Sequence, residues 1–404
     1  MSVLTRIPQI VGADVPVPVK GGVAPYANFD YAASAPCLEA VQDAVARALP
    51  YYSSVHRGAG YASQVTTRAY EQARETVRGF LGGPQAVVFV RNTTDAFNLL
   101  ARALPSGTSV VVFESEHHAT QLPWRNAVRL PAPGSPDEAL RAAAEALRSC
   151  PSGPRLLVVT AASNVTGELW PIAELAEVAH RCGARIAVDA AQLAPHRPLD
   201  AKNLDYVAFS GHKLYAPFGA GVLAGRADWL RAADPYLRGG GASKHVGEAG
   251  TVEWAGDAEQ RHEAGTPNVL GAIALAAACE TLRDWDVLVA EEERLLARLR
   301  SGLASIPAVR ELGLWGPGHP RVGIVSFVVA GHPARAVAEH LSDEHGIGVR
   351  DGKFCAHPLV RRLVGAGEGG CDGPEGTAVR ASIGIGTTDE HIDRLVAALR
   401  AFAG

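Results

Sequence analysis

Two kinds of apolar pattern alternate along the first two-thirds of the chain. Short apolar runs typical of buried strands are followed by longer segments with one apolar and one polar face, which is typical of helices. This alternation predicts an α/β fold with a mostly parallel central sheet flanked by helices. The predicted strands are Ala86–Val90, Ser109–Phe113, Arg155–Thr160, Arg185–Val188, Tyr206–Phe209 and Gly219–Leu223, and the predicted helices include Gln64–Leu81, Thr94–Leu104 and Ile172–Cys182.

The pattern changes after Gly239. Gly239–Thr266 has little periodicity and predicts a long functional loop, whereas Val269–Ser301 is strongly helical. We expect an N-terminal arm (1–27) packed near a small domain, a large domain (28–285) and a smaller C-terminal α+β domain (286–404). The predicted elements of the small domain are strand Gly323–Val329, helix Ala334–His345, strand Gly348–Arg350, a glycine-rich loop at Gly365–Gly376, strand Ala378–Ile383 and helix Asp389–Phe402.

Composition and charge narrow the class of protein. With 404 residues, 47% of them apolar, the chain is long enough for two cores and is not mainly disordered. The net charge is −4, and the sequence contains no block of like charges. The chain therefore lacks the basic patch expected of a nucleic-acid binder. The longest apolar run, Val269 to Cys279, is too short to cross a bilayer, and residues 1–18 lack the apolar core of a signal peptide. We expect a cytoplasmic protein with no membrane or nucleic-acid partner.

The cysteines point to a reducing compartment. They are scattered without a CxxC pair or a regular spacing, so neither a disulfide framework nor a metal site is predicted. Histidine and glutamate spacings typical of zinc enzymes are also missing, and we expect no metal. The six cysteines are Cys37, Cys150, Cys182, Cys279, Cys355 and Cys371.

A lysine and an aspartate stand at the ends of two predicted strands. Lys213 follows Tyr206–Phe209, and Asp189 directly follows Arg185–Val188. Buried charges are costly unless they have partners, and pyridoxal phosphate (PLP) requires both groups together. The lysine forms the Schiff base, and the aspartate keeps the pyridine nitrogen protonated. The alternatives are a lysine that snorkels to the surface and a structural ion pair between Asp189 and Arg380.

Motifs along nearly the whole chain resemble those of one family. The chain is similar to the class V aminotransferase group of PLP enzymes, and within it to the cysteine desulfurase/selenocysteine lyase branch. The resemblance implies the PLP-dependent transferase type I fold. The motifs are Asn28-Phe29-Asp30-Tyr31-Ala32-Ala33, Val55-His56-Arg57-Gly58, Thr93-Thr94-Asp95-Ala96, Glu116-His117-His118-Ala119, Ser163-Asn164-Val165-Thr166-Gly167, Glu263-Ala264-Gly265-Thr266-Pro267-Asn268 and Arg380-Ala381-Ser382, together with the two sites above.

The resemblance implies a set of cofactor contacts. Lys213 would carry the Schiff base, Asp189 would pair with the pyridine nitrogen, Gln192 would bind the phenolic oxygen, and His117 would stack on the ring as a catalytic residue. The phosphate would be held by Thr94, Ser210 and His212, although Thr94 could also be a simple helix cap. Gly265 and Thr266 would reach the phosphate of a neighbouring subunit, which implies a homodimer with shared active sites. The implied substrate-binding residues are Asn164, Arg380, Arg350, His56 and Arg57.

The implied reaction depends on Cys355. In the desulfurase branch, the corresponding cysteine removes sulfur from L-cysteine as a persulfide, alanine is released, and a sulfur-acceptor protein can follow. This chain departs from the branch because Lys353 and Phe354 replace a common pair of histidines. The Leu359–Thr377 segment, which contains Cys371, also looks long. The alternatives are a C–S β-lyase, aminotransferase or epimerase of specialised metabolism, an inert Cys355, and, from a different class, a non-catalytic PLP-binding homologue.

Overall fold

The computed structural model describes residues 7–365 and 376–404. Seven strands form the main sheet in the order β4-β10-β9-β8-β7-β5-β6, and four form a smaller antiparallel sheet in the order β13-β14-β17-β16. The strands are β1 Pro16–Val19, β2 Gly22–Pro25, β3 Ala27–Asn28, β4 Ala86–Val90, β5 Ser109–Phe113, β6 Val128–Leu130, β7 Arg155–Thr160, β8 Arg185–Asp189, β9 Tyr206–Ser210, β10 Gly221–Gly225, β11 Ser243–Val246, β12 Val252–Trp254, β13 Val309–Glu311, β14 Ile324–Val329, β15 Ile347–Gly348, β16 Arg350–Gly352 and β17 Ala378–Ser382.

Helices cover the main sheet and one side of the smaller sheet. The α-helices are α1 Glu39–Ala48, α2 Tyr61–Phe80, α3 Thr93–Ala103, α4 His118–Gln121, α5 Pro136–Ser149, α6 Ile172–Arg181, α7 Asp228–Ala232, α8 Ala258–His262, α9 Val269–Thr281, α10 Trp285–Ala304, α11 Ala334–His345, α12 His357–Val364 and α13 Asp389–Ala403. None of those within the described ranges is long and apolar enough to span a membrane.

The predicted α/β architecture is confirmed. All strands of the main sheet run in one direction except β10, which is antiparallel to both β4 and β9. The prediction placed this strand at Gly219–Leu223, two residues too early. Gly219 has a φ of 69° and belongs to the preceding turn, because that left-handed conformation interrupts an extended strand.

Two further predictions were wrong in detail. Gly239–Thr266 is not a plain loop, since it contains the β11–β12 hairpin and the short helix α8. Val269–Ser301 is two helices rather than one, with a break between Thr281 and Trp285. The two helices pack against different elements: α9 packs on α1 and α2, whereas α10 packs on α13.

The described residues form separate cores around the two sheets. Apolar side chains on both faces of the main sheet are fully buried, and α10, α11 and α13 enclose the apolar face of the smaller sheet. The N-terminal β1–β2 hairpin contacts α11 through an ion pair between Lys20 and Glu344, 2.9 Å long. The domain limits at 27 and 285 stay predictions. Residues 366–375 of the predicted glycine-rich loop, including Cys371, lie outside the described residues.

A buried ion pair ties the segment before Gly265 to the main sheet. Glu263 and Arg74 have side chains only 5% exposed, and their closest atoms lie 2.7 Å apart. Glu263 also accepts hydrogen bonds from the Phe89 amide and the Tyr70 hydroxyl, both 2.7 Å long. One carboxylate therefore joins α2, β4 and the 263–268 segment.

We expect Glu263→Gln to lower the free energy of unfolding by about 3 kcal/mol, because it leaves the Arg74 guanidinium buried without its main counter-charge. Urea unfolding followed by circular dichroism measures this loss. Glu75→Gln is the matched control, since Glu75 is exposed and pairs with Arg78 on the surface of the same helix. Equal losses in the two variants would contradict the structural role of the Glu263 pair.

Candidate active site

The ends of the parallel strands open into a cavity of about 510 Å³, which lies between the main sheet and the smaller sheet. Asp189 is the last residue of β8, and Lys213 follows β9 by three residues. Arg350 and Arg380 reach the same cavity from β16 and β17. Cavities of this size are typical of small-molecule sites, and the carboxyl ends of parallel strands are where such sites form.

Hydrogen bonds hold the Asp189 carboxylate from both sides. The Thr120 hydroxyl donates to Oδ2 over 2.7 Å, and the Ala191 amide donates to Oδ1 over 2.9 Å. Burial raises the pKa of Asp189, whereas these two donors and Lys213 oppose that shift. Thr120 was missed from the sequence, although it directly follows the Glu116-His117-His118-Ala119 motif.

The Lys213 amine faces this carboxylate in an enclosed position. Burial lowers the pKa of Lys213 to about 8, with the Asp189 charge opposing the shift and the Arg380 charge adding to it. An amine of this pKa is neutral in a substantial fraction of molecules near pH 8. Lys213 is therefore able to act as a nucleophile or as a base at this position.

His117 lies on the wall of the cavity as a neutral imidazole. Its Nδ1 accepts a hydrogen bond from the Ala119 amide, 3.0 Å long, and so caps the short helix α4. Burial lowers the pKa of His117 to about 3, and the nearby Lys213 charge adds to that shift. A flat uncharged ring at this place suits stacking better than proton transfer.

One end of the cavity presents donors for an anion. Helix α3 begins at Thr93, and Thr94 and His212 line the cavity beside it. The Thr93 amide donates to the Ser210 hydroxyl over 2.9 Å, and the two hydroxyls lie 2.8 Å apart. The predicted residues Thr94, Ser210 and His212 thus meet at a helix N-terminus, and Thr93 joins them. This arrangement suits a phosphate group.

Two residues that line the cavity each carry a buried polar atom that lacks a hydrogen-bond partner among the described residues. These atoms are Oε1 of Gln192 and Nε of Arg380. The Gln192 amide donates one hydrogen to the Ala32 carbonyl over 2.8 Å. Unsatisfied buried polar atoms are rare in native proteins, and here they favour a polar ligand in the cavity.

Asp30 holds two arginines at the other end of the cavity. Its carboxylate lies 3.1 Å from Arg350 and 3.4 Å from Arg380. Arg380 also donates to the Asn164 carbonyl over 2.9 Å. These contacts place the predicted substrate-binding residues Asn164, Arg350 and Arg380 together, in a position suited to a carboxylate. Asp30 was missed, because nothing in its sequence neighbourhood indicates an arginine partner.

Cys355 is exposed, lines the same cavity, and belongs to a strained loop. Phe354 and Cys355 have φ values of 51° and 54°, a left-handed conformation that is unfavourable for residues other than glycine. The Phe354 carbonyl accepts from the Asn164 amide over 2.7 Å, and the Cys355 carbonyl accepts from the His118 amide over 2.8 Å. Asn164 and His118, which follow strands β7 and β5 of the main sheet, therefore hold the loop that follows β16 of the smaller sheet.

The structure does not bring all predicted residues to this cavity. A second cavity, of about 710 Å³, is lined by four of them: His56, Arg57, Gly265 and Thr266. None of these four lines the cavity that contains Lys213. Within one chain, the predicted site is thus divided between two cavities.

Comparisons with known proteins agree with this geometry. The sequence model described as Aminotransferase class-V matches residues 27–395, and the chain belongs to this family. It is 38% identical over 393 residues to a cysteine desulfurase from Klebsiella pneumoniae, covering 93% of each chain, and 36% identical to one from Dickeya dadantii. Solved structures agree: the apo cysteine desulfurase of Thermococcus onnurineus has a TM-score of 0.83 at 30% identity, covering 94% of each chain.

Within the family, the chain is a cysteine desulfurase-like enzyme. The cysteine desulfurase CsdA from Escherichia coli matches with a TM-score of 0.79 and 32% identity, covering 93% of this chain and 94% of that one. Both the predicted type I fold and the predicted branch are confirmed. Members of this family use PLP as their cofactor.

We expect the Lys213 amine to titrate around pH 8 in protein without bound cofactor, because enclosure penalises its ammonium form. Below that pH the amine is mainly protonated, and above it mainly neutral and reactive. Trace acetylation between pH 6 and 11, read by peptide mass spectrometry, gives the midpoint. Lys244 is the control, since its hydrogen bond to Glu253 raises its pKa. A Lys213 midpoint at or above that of Lys244 would contradict the effect of burial.

Proposed function

We propose that this enzyme binds PLP through Lys213 and removes sulfur from L-cysteine, which it takes onto Cys355. One observation carries the proposal: an exposed thiol lines the same cavity as the enclosed Lys213 amine and the buried Asp189 carboxylate. An enclosed lysine amine close to a buried aspartate serves no evident structural purpose at the carboxyl ends of two central strands. A thiol that opens onto the same space supplies the group that a desulfurase needs beyond its cofactor.

The residues of the cavity fit PLP. Thr93, Thr94, Ser210 and His212 are suited to hold the phosphate, and Asp189 offers a carboxylate for the pyridine nitrogen. The side-chain amide oxygen of Gln192 has no hydrogen-bond partner among the described residues, which favours a polar group of the ligand beside it. When bound, the cofactor supplies an electron sink for carbanion chemistry.

The protein's own groups then have separate tasks. Arg380, with its unpartnered Nε, binds the substrate carboxylate beside Asn164. The Lys213 amine moves the proton at the substrate Cα, for which its pKa of about 8 is well placed. The neutral His117 ring supports a flat ligand by stacking. Sγ of Cys355 attacks the substrate sulfur, which leaves a persulfide on the enzyme and releases alanine.

We further propose a homodimer with shared active sites. The second cavity supports this, because His56, Arg57, Gly265 and Thr266 line it at a distance from Lys213 and would serve a neighbouring subunit. Tyr51 and Tyr52, next to this segment, are 47% and 51% exposed, as expected of side chains that a partner covers.

The exposed position of Cys355 supports a sulfur-acceptor protein as a second partner. A persulfide on a buried residue would not be reachable by another protein. We place the enzyme in the cytoplasm, because this chemistry requires a reduced thiol and reducing compartments maintain one.

Lys213→Ala should abolish covalent attachment of PLP, because the amine that forms the Schiff base is removed. Purified protein is incubated with PLP, treated with borohydride and digested, and the labelled peptide is found by mass spectrometry. Lys202→Ala, a substitution of an exposed lysine outside the cavity, should label as the unmodified enzyme does. Stoichiometric labelling that persists in Lys213→Ala would show that another residue carries the cofactor.

Cys355→Ala should reduce alanine formation from L-cysteine by on the order of 100-fold or more, because no thiol remains to take the sulfur. Alanine, pyruvate and sulfide are measured together with a thiol reductant present. Cys150→Ala is the control, since Cys150 is buried outside the cavity. Unchanged turnover in Cys355→Ala, with pyruvate as the product, would instead identify a C–S β-lyase that releases sulfide directly.

A further inference from the structure

The thiol of Cys355 requires a proton acceptor before it can attack sulfur, because the thiolate is the reactive form. The two residues before it are Lys353 and Phe354, neither of which carries an imidazole. The Phe354 ring is 8% exposed and lies 5.0 Å from the Arg380 guanidinium carbon. It packs against the substrate-binding arginine and takes no part in proton transfer.

Most charged or titratable groups around the cavity are poor acceptors for this proton. Arg350 and Arg380 are guanidinium groups, which cannot accept a proton. Asp30 and Asp189 are committed to the arginines and to Thr120, respectively. Asp351 also lines the cavity, and its carboxylate lies 3.5 Å from the Arg335 guanidinium.

The remaining candidates are nitrogen bases. Lys213 is assigned to the cofactor, and His117 is a very weak base in its buried position. His212 lies at the phosphate end of the cavity beside Thr94, and burial lowers its pKa. His357 is the remaining imidazole that lines this cavity within the described part of the chain. It is thus the group best suited to exchange a proton with Cys355.

Backbone geometry brings His357 and Cys355 to the same cavity. His357 is the first residue of α12 and lies two positions after Cys355. The left-handed conformations of Phe354 and Cys355 turn the chain there, so that the thiol and the imidazole both face the cavity. Such strain persists where the surrounding structure enforces it, and it is concentrated at functional sites.

His118 fixes both groups. Its ring centroid lies 4.5 Å from that of His357, with an angle of 67° between the rings. Its backbone amide donates to the Cys355 carbonyl over 2.8 Å. His118 thus holds Cys355 through a backbone hydrogen bond and contacts His357 through its side chain.

We propose that His357 accepts the thiol proton of Cys355 and that His118 is the positioning residue for this pair. The inference rests on the proposed function. The proton passes from Sγ to a ring nitrogen of His357, and the thiolate forms an S–S bond with the substrate sulfur as the Cβ–S bond breaks. The electron pair of that bond goes to Cβ, which gains one proton and becomes the methyl group of alanine.

This step balances without a further reagent. The two sulfur atoms are oxidised from thiols to a persulfide, and Cβ is reduced to a methyl group by the same electron pair. The substrate sulfur keeps its proton. Cys355 loses one proton and Cβ gains one, so the protons balance.

The test compares holoenzymes carrying His357→Gln, His357→Asn or His118→Gln. The rate of Cys355 alkylation by iodoacetamide is measured from pH 5.5 to 9 without substrate, by peptide mass spectrometry. Both His357 variants should react at least roughly threefold more slowly at pH 7, and their profiles should lose the inflection of an imidazole. His118→Gln should show a smaller decrease with the inflection retained. His180→Gln, on the distant helix α6, is the control and should match the unmodified enzyme.

A second measurement separates this proposal from the proposed function. Persulfide formation from L-cysteine should fall by roughly 100-fold in the His357 variants. Alkylation profiles in both His357 variants that match the unmodified enzyme would overturn the role of His357, whatever the turnover. If the unmodified enzyme forms no persulfide from L-cysteine, the proposed function fails, and the alkylation profiles still decide whether His357 and Cys355 exchange a proton.

Discussion

The enclosure of opposite charges at the ends of the parallel strands is the constraint on which the rest of the site depends. A carboxylate and an amine removed from water are tolerated only when each has compensating contacts. Asp189 obtains them from Thr120 and Ala191, and the enclosed Lys213 amine faces that carboxylate. The parallel register of β8 and β9 brings both residues to one edge, so the direction of the strands determines where the chemistry can occur.

The same requirement joins the two sheets. Arg380 belongs to the smaller sheet and is 3% exposed, so its guanidinium must find acceptors on residues that face it. Asp30 and the Asn164 carbonyl supply them from other parts of the chain. The amide of Asn164 in turn holds the Phe354 carbonyl. These linked contacts hold the loop that contains Phe354 and Cys355 against the cavity. The position of the thiol therefore follows from the need to satisfy a buried arginine.

Local patterns predicted the sheet well because burial on both faces leaves continuous apolar runs, and a charged residue directly after such a run is conspicuous. Lys213 and Asp189 could be recognised for that reason. Thr120, Asp30 and His357 could not, since their importance comes from partners that lie far away in sequence or on another element. The β11–β12 hairpin was also missed, because its exposed, glycine-flanked strands lack an apolar alternation. Motif resemblance added His56 and Thr266, but folding a single chain leaves them in a separate cavity.

Under the proposed function, Cys355 must satisfy two demands that ordinarily conflict. A nucleophile needs a fixed position, whereas a thiol that passes sulfur to another molecule needs exposure. The left-handed conformation of Phe354 and Cys355 resolves the conflict, because it presents the thiol at the mouth of the cavity while the flanking carbonyls are held by Asn164 and His118. Hydrogen bonds to the backbone, rather than packing of the side chain, fix the position of Cys355. The thiol therefore remains open to solvent while its main chain is held as firmly as that of a buried residue.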